Sequence, residues 1–150
     1  MFENEHPARR ASLLSREYTQ THNREGWLSL WRDDAVIQDP IGVSHIDPEG
    51  EGHRGREAIE NFYDSFIAPA NISIEIKDSY IAANEVANHV LITVIIPTGE
   101  GNKAIQQLVH GVFAYAVDEQ GKLYSMRGWW DVDDPINAMT EIELEGAASA

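Results

Sequence analysis

Hydrophobic positions recur at helical spacing in the first part of the chain and at strand spacing in the rest. Ala11, Leu14 and Tyr18 form one apolar face over residues 7–22, and Pro7 suits a first turn, so a helix is predicted there. Asn23 offers an N-cap to a second, short helix in which Trp27, Leu30 and Trp31 share a side, with Asp33 and Asp34 ending it. A third amphipathic helix follows residue 55, its stripe made of Ala58, Ile59, Phe62, Tyr63 and Phe66. Between the last two helices, Ala35 to Asp39 reads as a short strand stopped by Pro40, because proline cannot donate to a ladder and pushes its predecessor toward extended geometry. Residues 42–55 hold too much glycine and proline for a regular element and are predicted to be a surface loop.

From residue 72 onward the period changes to two. Ile72, Ile74 and Ile76 alternate with Ser73, Glu75 and Lys77, as in a half-exposed strand. Residues 86–96 are apolar and β-branched, 104–117 alternate imperfectly, and 123–132 are rich in aromatics, with Asp118–Gly121 as the turn before the last strand. Helices followed by long meandering strands predict an α+β fold, three N-terminal helices packed on one face of a strongly curved antiparallel sheet. One domain over residues 1–150 is expected, with its core at about 7–132. The tail 133–150 has little pattern, and Gly146 to Ala150 is expected to fray.

Composition narrows the function more than the fold. Eleven Lys and Arg against 25 Asp and Glu give a formal net charge of -14, which repels nucleic-acid phosphates and anionic lipid, so neither is an expected partner. No apolar run approaches the ~20 residues that span a bilayer, and the first residues resemble no leader, which makes a cytoplasmic protein the expectation. The absence of cysteine excludes disulfides, thiolate nucleophiles and Cys-based metal sites. The six histidines, at 6, 22, 45, 53, 89 and 110, lack metal-ligand spacing, so no metal is expected. Glycine-rich loops of the nucleotide-binding kind are also missing, and no cofactor is implied.

The most informative single residue is Asp39. Strand alternation puts it on the same face as Ile37 and Ile41, and burial of a carboxylate among apolar side chains raises its pKa and makes it a better proton acceptor near neutrality. The alternative reading is a strand-ending aspartate bonded to nearby backbone amides before a proline. His110 alternates onto the face opposite Phe113, toward the outer sheet or a dimer interface; a bulge near Gly111 would turn it inward as an acid or base. His53 and Arg54 border the start of the third helix and read as loop residues.

Three segments in order carry a family resemblance: Trp31 to Gly42, which contains Asp39–Pro40–Ile41–Gly42, then Gly55 to Tyr63, then Gly121 to Trp130. They resemble the signature segments of ketosteroid isomerases within the nuclear transport factor 2-like, or SnoaL-like, group, and the likeness extends loosely from residue 11 to 132. The resemblance implies a cone-shaped α+β fold, a homodimer through the outer sheet face, and Asp39 as the base that moves a proton beside a steroid carbonyl. It also places Ser15 where the family carries a tyrosine donor, with Tyr18 one turn further on, and Phe113 where it carries a second acid. Tyr63 matches a tyrosine that supports the donor network, so Tyr63, Tyr18 or Ser15 is the expected replacement donor; the plainer role of both tyrosines is in the core, and of Ser15 at the surface.

The same resemblance turns two strand faces toward a pocket, Phe113 and Tyr115 on one strand and Tyr124, Met126 and Trp130 on the next. With Trp31, Phe62 and Val90 they would form a cavity for a flat apolar ligand such as a steroid or polyketide, and Asn88 would add a polar contact; the alternative is a filled core. The expected function is a steroid isomerase-like protein. A non-catalytic binder of hydrophobic ligands, or a protein-interaction module of the transport-factor type, is the alternative.

Overall fold

The structure, a computed structural model, describes residues 1–144; Gly146 to Ala150, where fraying was expected, lie outside the described residues. Three helices, α1 (Pro7–Gln20), α2 (Arg24–Ser29) and α3 (Arg56–Phe62), are joined by seven strands, β1 (Trp31–Gln38), β2 (His53–Arg54), β3 (Asn71–Ala82), β4 (Glu85–Pro97), β5 (Lys103–Val117), β6 (Leu123–Trp129) and β7 (Met139–Glu143). The strands form a single sheet in the order β2-β1-β6-β5-β4-β3, and β7 pairs with the free stretch of β5 beyond β6. All pairs are antiparallel except β1 with β6. Register shifts between Ile76 and Asp78, and between Ala116 and Val117, interrupt the ladders and help curl the sheet. The α+β architecture read from the periodicities is the one observed.

The helix starts follow their caps. Pro7 opens α1, where His6 Nδ1 accepts from the Ala8 amide, and Asn23 Oδ1 accepts from the Gly26 amide at the start of α2. The buried face of α1 consists of Ala8, Ala11, Ser12, Leu14, Ser15 and Thr19. Apart from Leu14 these side chains are small and cannot fill the space between a helix and a curled sheet, so interior volume remains beneath them.

Three local expectations need correction. The second helix ends at Ser29 instead of running to Asp33, and Trp31 opens β1. Leu123 N donates to Leu30 O, and the Arg56 guanidinium donates to Leu28 O (2.9 Å) and Trp31 O (2.6 Å), so the last carbonyls of this segment are taken by other elements. Within the glycine-rich loop, His53 and Arg54 form β2, opposite Ile37 and Val36. The patternless tail contains a 3-10 turn, Pro135–Asn137, and β7, whose pairing is main-chain and leaves mostly exposed side chains with no strong sequence signal. No helix among the described residues is long and apolar enough to cross a membrane.

Candidate functional site

Between α1, α3 and the inner face of the sheet lies a cavity of about 340 Å³, within the size range of small-molecule sites. Its wall is mostly aliphatic and aromatic, from Phe62, Ile74, Ile92, Val109, Phe113 and Met126 among others, and among the described residues no lysine or arginine lines it. Of the pocket residues expected from the sequence, Phe62, Phe113, Tyr115, Met126 and Trp130 are present, together with Asp39 and Ser15. A filled core is therefore not what the fold encloses.

Asp39 follows β1 directly and turns its carboxylate into this cavity. It is only partly accessible and borders the cavity. Trp130 Nε1 donates to Asp39 Oδ1 at 2.8 Å, and among the described residues no backbone amide of the adjoining turn bonds the side chain. Loss of hydration raises the carboxyl pKa to about 6, the indole hydrogen bond opposing that shift only in part. Gly111 makes this contact sterically feasible: a Cβ there would collide with the Trp129 carbonyl oxygen and lie 2.9 Å from Trp130 Cβ.

Tyr115, on β5, supplies the second polar group. Burial raises its pKa well above the ordinary phenol value, the Asp39 charge adds to the rise, and the Ser15 hydroxyl opposes it. The phenol therefore stays a hydrogen-bond donor across the physiological range. Ser15 is buried, and its Oγ accepts from Trp27 Nε1 at 3.2 Å, which leaves its own proton free to point elsewhere. Asp39, Tyr115, Ser15, Trp27 and Trp130 thus border one cavity, a potential base accompanied by neutral donors.

Several expected site residues lie elsewhere. Tyr63 packs on Trp27 with ring centroids 5.4 Å apart and does not reach the cavity; burial raises its pKa, and the charge of Arg24 pulls it back. Tyr18 stands outside the cavity with Leu14 and Leu30, over the side of Gly26. Trp31 is core, 5.3 Å from Trp27 between ring centroids. Tyr124 is on the solvent side, where its hydroxyl accepts from Asn84 Nδ2 and Arg32 lies 5.9 Å over its ring. The reason is a bulge: Ala116 faces Ser125 and Val117 faces Leu123, so Tyr124 is the extra residue and strict alternation from Met126 fails there. Asn88 and Val90 border a smaller adjoining pocket instead of the main one.

Other lining residues went unassigned in the sequence. Ile72, Ile74, Ile92, Val94 and Ile96 share one strand parity and Phe66 belongs to the apolar stripe of the third helix, which are signals in the sequence; Met139 from β7 and Ser65 and Ile67 from the π-helical turn Tyr63–Ile67 carry none. His45, on the loop after β1, also borders the cavity. His110 keeps to the opposite parity, since β4 and β5 pair without interruption past Gly111, and its backbone amide donates to Asn137 Oδ1. His53 packs against Phe62 and Phe66, and burial lowers its pKa. Among the described residues, no three His, Asp or Glu side chains are grouped to hold a metal ion.

Comparison with known proteins agrees with this fold. Residues 15–126 match the SnoaL-like domain family. The crystal structure of RV0760c from Mycobacterium tuberculosis superposes with a TM-score of 0.78 at 35% identity, covering 92% of this chain and 98% of that one. The same protein in complex with estradiol-17beta-hemisuccinate aligns at 36% identity with a TM-score of 0.78, covering 91% and 99%. Delta 5-3-ketosteroid isomerase from Mycobacterium sp. aligns at 34% identity with a TM-score of 0.79, covering 92% and 100%. A search of curated protein sequences gives no match.

Proposed function

We propose that this chain, which belongs to the SnoaL-like domain family of nuclear transport factor 2-like proteins, binds a flat apolar molecule of steroid or polyketide type and moves a proton on it with Asp39. The observation that carries this reading is a carboxylate enclosed in an apolar cavity, its pKa raised to about 6, beside a tyrosine held neutral. Support comes from relatives that bind a steroid ester and that are named as a ketosteroid isomerase.

In this mechanism the Asp39 carboxylate takes the proton from a carbon next to a ligand carbonyl. The C–H electron pair moves into the ring system and the carbonyl oxygen becomes an enolate oxygen, to which Tyr115 donates. The protonated Asp39 then returns the same proton to the far carbon of the conjugated system, which restores the carbonyl and the carboxylate. The net change is a shift of one double bond, with no redox partner.

A second reading, binding without turnover, is favoured by one observation: Phe113, an apolar residue, stands in the cavity where the resemblance calls for a second acid. Turnover of a 3-keto-5-ene steroid, followed by ultraviolet absorbance of the conjugated product, separates the two. The catalytic reading expects product with the unaltered protein and none with Asp39→Asn; steroid binding without product in either favours the binder. Assembly belongs to the same proposal. The outer face of the sheet presents Leu91, Leu108, Val112 and the half-exposed Trp129, and a homodimer through it is tested by the solution mass of the protein and of Trp129→Glu.

A further inference from the structure

Next to the main cavity, between α1 and strands β3 and β4, lies a pocket of about 20 Å³ lined by Ser12, Arg16, Asn88 and Val90. Ile74, Ile92, Phe113 and Tyr115 border both spaces, so the two adjoin. Asn88 is 2% exposed. Its Nδ2 donates to Ser12 Oγ at 3.0 Å, and the Ser12 hydroxyl donates in turn to Arg9 O at 2.8 Å, which fixes the amide's orientation. Its Oδ1 is buried and accepts no hydrogen bond among the described residues. A buried acceptor without a donor is costly, and the adjoining volume is of the size needed for one oxygen atom.

We infer that Asn88 determines specificity by accepting a hydrogen bond from a hydroxyl group at the inner end of the ligand. This rests on the reading of the main cavity as the ligand site and adds the ligand's chemical class: a flat apolar alcohol or phenol. A hydroxyl fits because Asn88, whose Oδ1 lacks a donor among the described residues, lines the pocket together with Arg16, a side chain that can only donate. A ketone oxygen cannot donate to Asn88, and an ammonium group cannot accept from Arg16. Ligand selection of this kind is strong because the analogue without the hydroxyl leaves the amide oxygen unpaired.

The test compares 4-hydroxybiphenyl with 4-fluorobiphenyl, read by fluorescence of Trp27 and Trp130, which border the cavity. The unaltered protein is expected to bind the phenol about tenfold more tightly. Asn88→Leu should reduce that preference to less than twofold, and Asp39→Asn should leave it intact. Equal affinity for the two probes in the unaltered protein, or a preference that survives Asn88→Leu and vanishes in Asp39→Asn, overturns the assignment and leaves the proposed function standing. Failure of both probes to bind overturns both. If Asn88→Leu does not fold, Ser12→Ala decides: it frees the amide to turn, a fall of threefold or more supports the role of Asn88, and no change overturns it.

Discussion

The indole of Trp130 and the carboxylate of Asp39 meet at 2.8 Å, Nε1 donating to Oδ1, and join the residue after β1 to the residue after β6. The two strands run parallel and pair Ile37 with Met126 and Gln38 with Arg127, so the contact ties the two chain segments together just beyond their last paired residues. One face of the carboxylate is thereby held by a neutral donor, and the rest is left to the cavity. Burial raises the pKa and the indole lowers it, burial being the larger effect.

Turnover should therefore rise with pH through about 6 and level off above it, as Asp39 becomes the ionised base. Trp130→Phe removes the opposing hydrogen bond and should move the midpoint upward. The pH dependence of kcat/KM for both proteins checks this; a midpoint that stays in place means that the indole does not act on the ionising group.

Asp39 is also expected to cost stability. Its folded pKa of about 6 lies above the ordinary 3.8, so the folded protein holds this proton more tightly than the unfolded chain. The group does not destabilise the fold below the unfolded value; the cost develops as pH rises from about 4 to about 6 and is complete above that. At about 1.4 kcal/mol per pKa unit this amounts to roughly 3 kcal/mol. Asp39→Asn, which still accepts from Trp130, should be more stable than the unaltered protein by about 1–3 kcal/mol at pH 8, and the gap should close near pH 4. Denaturant unfolding at the two pH values measures it.

Tyr115→Phe should lower kcat by about 10²–10³, the usual cost of losing one oxyanion donor, with a small change in ligand affinity. Ser15→Ala should cost less, because Ser15 acts on the phenol and not on the ligand oxygen. Tyr63→Phe and Tyr18→Phe should leave kcat within about threefold, since neither hydroxyl borders the cavity. Steady-state kinetics of the four variants distinguishes the donor on β5 from those on the helices.

That last contrast marks how far the sequence can be read. Asp39 is legible because alternation from Ile37 and the following proline constrain it locally; for Phe62, Phe113, Tyr115 and Met126 the period gives the shared face and the family resemblance gives the side that meets the pocket. Alternation misplaces Tyr124 because it is the extra residue of a bulge between Leu123 and Ser125, and a single sequence carries no mark of that residue. Tyr18 on α1 and Tyr63 just past α3 share stripes with core residues, and a stripe does not tell which of its members end at a cavity. Met139 reaches the cavity through a strand whose pairing is nearly all main-chain, a contact invisible to hydrophobic patterning.

The turn from α2 into β1 shows the same limit and gives a prediction independent of the ligand. Periodicity carried the second helix through Trp31, yet the chain enters the sheet there because Arg56, on α3, donates to Leu28 O and Trp31 O as well as to Asp33 Oδ1. The exposed ion pair with Asp33 contributes little, since that aspartate stands in solvent. The two carbonyls matter more: they are part-buried, and a charged donor bonds both. Arg56→Ala should thus destabilise the fold by about 2–4 kcal/mol, Asp33→Ala by less than about 1 kcal/mol, and Arg56→Lys by an intermediate amount, because one ammonium cannot span both carbonyls as a planar fork does. Thermal unfolding of the three variants orders them, and an Asp33→Ala loss equal to that of Arg56→Ala would assign the effect to the ion pair instead.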